Sequence, residues 1–253
     1  MRGLFCIRGF LLAQWHTVMA FDQGCDRLRA GQDMVMPIRG KGGRVDERII
    51  TSDACVAEGV AWLCQHDPAM ARAYRETGPL PLRRRPDGFA QLLSAIVSQQ
   101  VSVASARAIW GRLEAAGLVT PDAVAALDTD ALRAHGLSRQ KAAYAHALAA
   151  AGIDFEGLRA LPTAQVVDRL VAVKGIGIWT AEIYAMFSLG RADVFAPGDL
   201  ALQEGARMLY DLPDRPREAP LRRMSEIWRP WRSVAARMLW AYYHVQKQRE
   251  GIA

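Results

Sequence analysis

From Ile49 onward, apolar residues recur at helical spacing, and Gly and Pro punctuate the segments between them. Phe89, Leu92, Leu93 and Ile96 fall at i, i+3, i+4 and i+7, one face of a helix. Trp231, Val234, Ala235 and Met238 repeat the pattern near the other end. The spacing predicts helices over about 53–66, 68–76, 87–99, 102–116, 121–127, 129–135, 138–151, 163–173, 178–189, 199–210, 217–226 and 230–248. Connections are short, and neither strand alternation, internal repeats nor low-complexity tracts interrupt the series. The result is an all-α body of many short helices rather than a long bundle.

The last helix carries a core stripe through Trp231, Val234, Ala235, Met238, Tyr242 and Val245. At about 3.6 residues per turn, Trp240 points away from that stripe. A large apolar side chain there must meet a second surface, either another helix, the common case for Trp, or a cleft.

Composition narrows the picture. Apolar residues make up 51% of the 253, enough for a sizeable core. The net charge of +6 suits a polyanionic partner, although charge alone also describes a merely basic protein. Cys6, Cys25, Cys55 and Cys64 form no CxxC pair, and the five histidines show no ligand spacing. That argues against a zinc site or a disulfide framework and for the reduced cytosol. No apolar run approaches the roughly 20 residues of a membrane span, so no membrane association is expected. Residues 1–45 are read as an extension, disordered or outside the working protein, with Met19, Met34 and Met36 as alternative starts. Gly40 to Gly43 and the charged run after them read as linker, and 46–253 as the helical domain.

One stretch carries chemistry: VKGIGIWTAEIYAMFSLGRADVFAPGDLALQ, residues 173–203. Its Gly175-Ile176-Gly177 lacks the preceding strand and third glycine of a dinucleotide fingerprint. The context is helix, tight turn, helix over about 163–189. An ordinary αα turn satisfies that spacing. So does a grip on a phosphate, because glycines admit close backbone approach and the second helix begins with unpaired N–H groups. Lys174 would add charge. Asp199, after Gly198 and before LALQEGARMLY, is a good N-cap residue.

The run KGIGIWTAEIYAMFSLGRADVFAPGD resembles the signature of the helix-hairpin-helix DNA glycosylases, and within them the 3-methyladenine DNA glycosylase II branch. SAIVSQQVSVASARAIWGRL, GLSRQKAAYAHALA and WRPWRSVAARMLWAYY are similar to further segments of that branch. Together they cover roughly residues 55 to 248 in order. The resemblance implies two helical subdomains flanking a cleft, and a monofunctional glycosylase that flips an alkylated purine and hydrolyses its glycosidic bond. It implies Asp199, in the loop 190–199, as the catalytic acid. Trp179 stands where lyase-type relatives carry a Schiff-base lysine, which implies hydrolysis without strand cleavage. Trp179 and Trp240 would form the base pocket, with Ile183 in place of the family's pocket tyrosine. Tyr184 beside it would face elsewhere. Gln100, with Gln99, falls at the DNA wedge. Lys174 (usually proline), Gly175, Gly177 and Thr180 would meet the DNA backbone.

The implied partner is double-stranded DNA containing damaged bases, bound by a monomer in the cytoplasm. No redox cofactor or catalytic metal is implied, although a structural monovalent cation on the hairpin carbonyls is compatible. Arg83, Arg84, Arg85, Arg215, Arg217, Arg222, Arg223, Arg229, Arg232 and Arg237 are candidate phosphate contacts. Two other readings stay open: a glycosylase for deaminated bases such as uracil or hypoxanthine, and a non-catalytic DNA-binding protein.

Overall fold

The computed structural model describes residues 47–249. The proposed extension 1–45 lies outside the described residues. Thirteen α-helices follow in order: α1 (Asp53–His66), α2 (Pro68–Thr77), α3 (Phe89–Ser98), α4 (Val103–Ala115), α5 (Pro121–Ala125), α6 (Thr129–Ala134), α7 (Arg139–Ala150), α8 (Phe155–Ala160), α9 (Thr163–Val171), α10 (Ile178–Phe187), α11 (Leu200–Leu209), α12 (Glu218–Met224) and α13 (Arg232–Arg249). Most predicted helices are found within about two residues of their predicted ends. Two are not as expected. FEGLRA forms α8, capped by Asp154, whose carboxylate accepts from Gly157 N at 2.9 Å. The predicted helix 217–226 is α12 followed by a separate 3-10 turn, Ser225–Trp228.

Caps explain many boundaries. Ser52, Ser102, Ser138, Asp67 and Asp128 each accept a backbone N–H of the first helical turn with a side-chain oxygen. Burial then sorts the helices into two cores. The first joins α1, α2, α11, α12 and α13 around Leu63, Met70, Leu202, Trp228 and Met238. The second joins α3 through α9 around Leu93, Ile96, Leu113, Leu148 and Leu170. Helix α10 serves both. Ile183, Met186 and Phe187 pack into the first, Ala181 and Tyr184 into the second.

The charged run predicted as linker is instead structural from Glu47 on. Ile50 N donates to Gly190 O at 2.7 Å and Ala192 N to Arg48 O at 3.0 Å, a single antiparallel bridge onto the loop after α10. The Glu47 carboxylate accepts from Thr163 N at 2.9 Å and faces Arg191 at 3.3 Å. Arg48 pairs with Glu58 and lies 4.8 Å over the Trp231 ring. This segment thereby ties the start of α9 to the loop that will carry the acid.

Helix α13 is also more buried than a single stripe requires. Every residue from Ser233 to Trp240 is buried, because α1, α2 and α11 enclose its first half. Arg237 is among them, bonded to Ser233 O at 2.8 Å and stacked 4.7 Å from the Phe187 ring. Burial pulls its guanidinium down to about 9. It is no phosphate contact. Arg229 and Arg232 hold Asp193 at 3.0 and 2.6 Å, Arg232 largely buried and Arg229 with its side chain still exposed.

Candidate active site

Asp199 begins α11 and caps it. Its Oδ1 accepts from Ala201 N at 2.9 Å and Leu202 N at 3.1 Å. Two indoles complete the shell: Trp240 Nε1 donates to Oδ1 at 3.1 Å and Trp179 Nε1 to Oδ2 at 3.0 Å. Oδ1 carries three of these four bonds, both caps included, and Oδ2 only one. Asp199 is buried, 8% exposed. Its loop is fixed from several sides. Asp199 N reaches Ala196 O at 3.0 Å, Gln203 Nε2 reaches Pro197 O at 2.8 Å, and Asp193 is held by the two arginines.

Beside this acid, between α3, α4 and α10, lies a cavity of about 330 Å³. Trp179 and Ile183 form its α10 wall, Ser94 and Ala95 face them from α3, and Trp110 from α4. The Trp179 ring thus belongs to the cavity while its N–H holds Asp199. Thr180, expected against the DNA backbone, is buried and lines this cavity. Trp240 sits behind Asp199 in the first core, 5.8 Å from the Phe187 ring, and is not among the lining residues. Tyr184 corrects an expectation: it does not face elsewhere but lines the cavity beside Ile183. Its hydroxyl accepts from Gly88 N at 2.8 Å, and burial pushes the phenol up to about 12.

Just past the end of α3 the two glutamines diverge. Gln99 donates from Nε2 to Gly175 O at 2.9 Å, which ties the end of α3 to the hairpin. Gln100 is exposed, with φ +56, a left-handed conformation one residue past the Gln99 cap of α3. In the hairpin, Gly175 has φ +98, and a Cβ there would lie 2.4 Å from the Tyr144 ring. Gly177 has open space where a Cβ would be, and no side chain caps α10. Lys174 is exposed beside it. A helix start with open backbone and a neighbouring cation is a site for an anion.

Sequence reasoning missed Glu182. It sits on α10, three residues past Trp179, and is only 3% exposed. Its Oε1 meets Arg222 at 2.8 Å, its Oε2 has no hydrogen-bond partner, and Arg222 also holds Glu218 at 3.1 Å. Burial raises the carboxyl from 4.5 to about 7, against the pull of Arg222. A raised acid binds more protons folded than unfolded, so its contribution to stability is present below 4.5 and lost as pH rises towards about 7. Glu182→Gln should therefore flatten the fall of melting temperature across that window. An unchanged slope in the variant would remove Glu182 as its source.

A helix–hairpin–helix, a capping acid twenty residues past a tryptophan, and a cleft between two helical cores define the fold of the helix-hairpin-helix DNA glycosylases. The pattern of the HhH-GPD superfamily, base excision DNA repair proteins, matches residues 93–232, and the chain belongs to that superfamily. It is 30% identical over 203 residues to DNA-3-methyladenine glycosylase 1 of Schizosaccharomyces pombe, covering 77% of this chain and 89% of the relative. Among solved structures it is similar to a DNA-3-methyladenine glycosidase from Bacillus halodurans. There the TM-score is 0.69 at 33% identity, over 79% of this chain and 94% of the other. A Schizosaccharomyces pombe 3-methyladenine DNA glycosylase in complex with abasic DNA gives 0.62 at 31% identity, over 72% and 95%.

Proposed function

We propose that this protein is a monofunctional DNA glycosylase of the 3-methyladenine glycosylase II type, which hydrolyses the N-glycosidic bond of alkylated purines during base excision repair. The observation that carries the reading is Asp199, held by two indoles and a helix start, with the Trp179 ring forming the wall of the adjacent cleft. The names of the relatives, and the abasic DNA bound by one of them, support the substrate class and the product.

The target bond is hidden in duplex DNA, so the nucleotide must leave the stack. Gln100, exposed at the left-handed end of α3, is placed to fill the gap, while Gln99 braces it against the hairpin. The α10 start, with Lys174, takes backbone phosphate. The base then enters the cleft against Trp179. The C1′–N bond breaks with its electron pair leaving on the base. An N-alkylated purine carries a positive charge before cleavage and departs neutral, so it needs no second acid. The sugar becomes oxocarbenium-like, and the Asp199 carboxylate stabilises that charge. Water adds its oxygen at C1′ and gives its proton to Asp199, leaving an abasic site.

Trp179 decides the outcome at the strand. Its nitrogen lone pair belongs to the aromatic ring and its N–H is committed to Asp199, so it supplies no amine for a Schiff base. The test is N-methylated duplex DNA assayed for free base and for strand breaks before and after hot alkali. Release of 3-methyladenine with breaks only after alkali is expected. Breaks without alkali would remove the monofunctional reading. Release from uracil or hypoxanthine duplexes alone would favour the deaminated-base alternative, and DNA binding without any release the binding-protein one. Gln100→Ala should lower release from duplex by about tenfold, and much less when the target is already unpaired, because extrusion costs a few kcal/mol.

A further inference from the structure

The segment GLSRQKAAYAHALA, residues 136–149, holds a buried charge that neither the acid nor the cleft uses. Lys141, in the first turn of α7, is 8% exposed, and burial pulls its ammonium below the usual lysine range. No residue of the segment lines the cleft or bonds to the Asp199 carboxylate. A buried cation is costly unless it is bonded. Lys141 donates from Nζ to Val97 O at 2.6 Å. Val97 lies in the last turn of α3, where the carbonyls lack N–H partners of their own helix and carry the negative end of its dipole. The bond therefore clamps the end of α3 onto α7, three residues before Gln100.

Two further contacts close a triangle. Gln99 Nε2 donates to Gly175 O at 2.9 Å, from the end of α3 to the hairpin. Gly175 in turn packs on the Tyr144 ring of α7, which would lie 2.4 Å from a Cβ at that glycine. Gln140 Nε2 donates to the Tyr144 hydroxyl at 2.6 Å and holds the ring from its own helix. The end of α3, the hairpin and α7 are thus tied pairwise, and the wedge and the phosphate grip keep one spacing. We infer that Lys141 is a positioning residue for base extrusion, fixing the end of α3 on α7 so that Gln100 meets the DNA stack without recoil. This rests on the glycosylase reading above and on Gln100 as its wedge. A side chain that fills the place of a base bears the force with which the nucleotide returns to the stack. With Val97 O released, that force moves the end of α3 instead of being resisted. Asp199 and Trp179 belong to other elements, so a target that is already unpaired needs Lys141 much less.

The test uses an oligonucleotide carrying one N-methylated purine. It is annealed to its full complement, where the target is paired, or to a complement lacking the opposite nucleotide, where the target is bulged. The readout is the ratio of initial release rates, paired to bulged, for wild type, Lys141→Met and Lys141→Gln. A ratio within one preparation does not depend on the fraction of protein that is folded, so a merely structural role would not move it. Lys141→Met keeps the stem but loses the donor, and should lower the ratio about fivefold. Lys141→Gln keeps an N–H donor on a shorter stem and should lower it by a smaller factor. It carries the comparison if Lys141→Met does not fold. Equal loss on both targets, or an unchanged ratio in the variants that fold, would overturn the inference while leaving the glycosylase reading intact. If wild type releases no base from either target yet binds an abasic duplex, the glycosylase reading itself fails and takes the positioning role with it.

Discussion

Asp199→Asn should reduce base release about 10³-fold with the fold retained, because it removes a carboxylate that stabilises charge and receives a proton. Asparagine is as good an N-cap as aspartate. Its carbonyl oxygen can take the place of Oδ1, which accepts Ala201 N, Leu202 N and Trp240 Nε1. Its amide nitrogen must then stand where Oδ2 accepts from Trp179 Nε1, donor against donor. The substitution thus removes charge and dislodges the Trp179 indole, but leaves the start of α11 capped. Single-turnover release from methylated duplex, with melting measured in parallel, separates the effects. A wild-type rate in the variant would remove Asp199 from the chemistry. A collapse in melting temperature would instead show that the acid's main duty is structural. Affinity for abasic duplex should change little, since the backbone N–H groups at the α10 start and Lys174 are not altered.

What the sequence discloses about this site depends on how local the cause is. The capping role of Asp199 was legible because Gly198 before it and a helical pattern after it are adjacent in the chain. Its second indole was not: Trp240 lies 41 residues on, and only the packing of α13 against α11 brings Nε1 within reach. The helical wheel of α13 did show that Trp240 leaves the main stripe, but not what it would meet. Tyr184 failed for a related reason. A wheel gives angles within a helix, and α10 has a core on either side and a cleft between them, so neighbouring positions 183 and 184 both reach the cavity. Helix α8 escaped because its six residues hold only Phe155 and Leu158 as large apolar groups, too few to show a period. The arginines after position 215 looked alike in sequence, yet Arg222, Arg229 and Arg232 are each paired with a carboxylate that arrives from α10 or its following loop.

The hairpin supplies the second large effect. Gly175→Ala is expected to destabilise the protein by about 3 kcal/mol, from two sources of similar size. A non-glycine residue at φ +98 is strained by about 1–3 kcal/mol. Its Cβ would also lie 2.4 Å from the Tyr144 ring, an overlap that costs about 1–3 kcal/mol unless the ring moves. The consequence extends beyond stability. Gly175 O anchors Gln99, and the α10 start follows two residues on, so a displaced hairpin disturbs the wedge support and the phosphate grip together. Affinity for abasic duplex should therefore fall along with melting temperature. The two sources can be separated, because only one involves Tyr144. In a Tyr144→Gly background both the ring and the Tyr144 Cβ, which would lie 2.7 Å away, are gone and the backbone strain remains, so the cost of Gly175→Ala should drop by about half. Additivity within about 0.5 kcal/mol would show that the left-handed backbone alone requires glycine here. A large coupling would show that the hairpin is a glycine turn because α7 packs an aromatic ring against it.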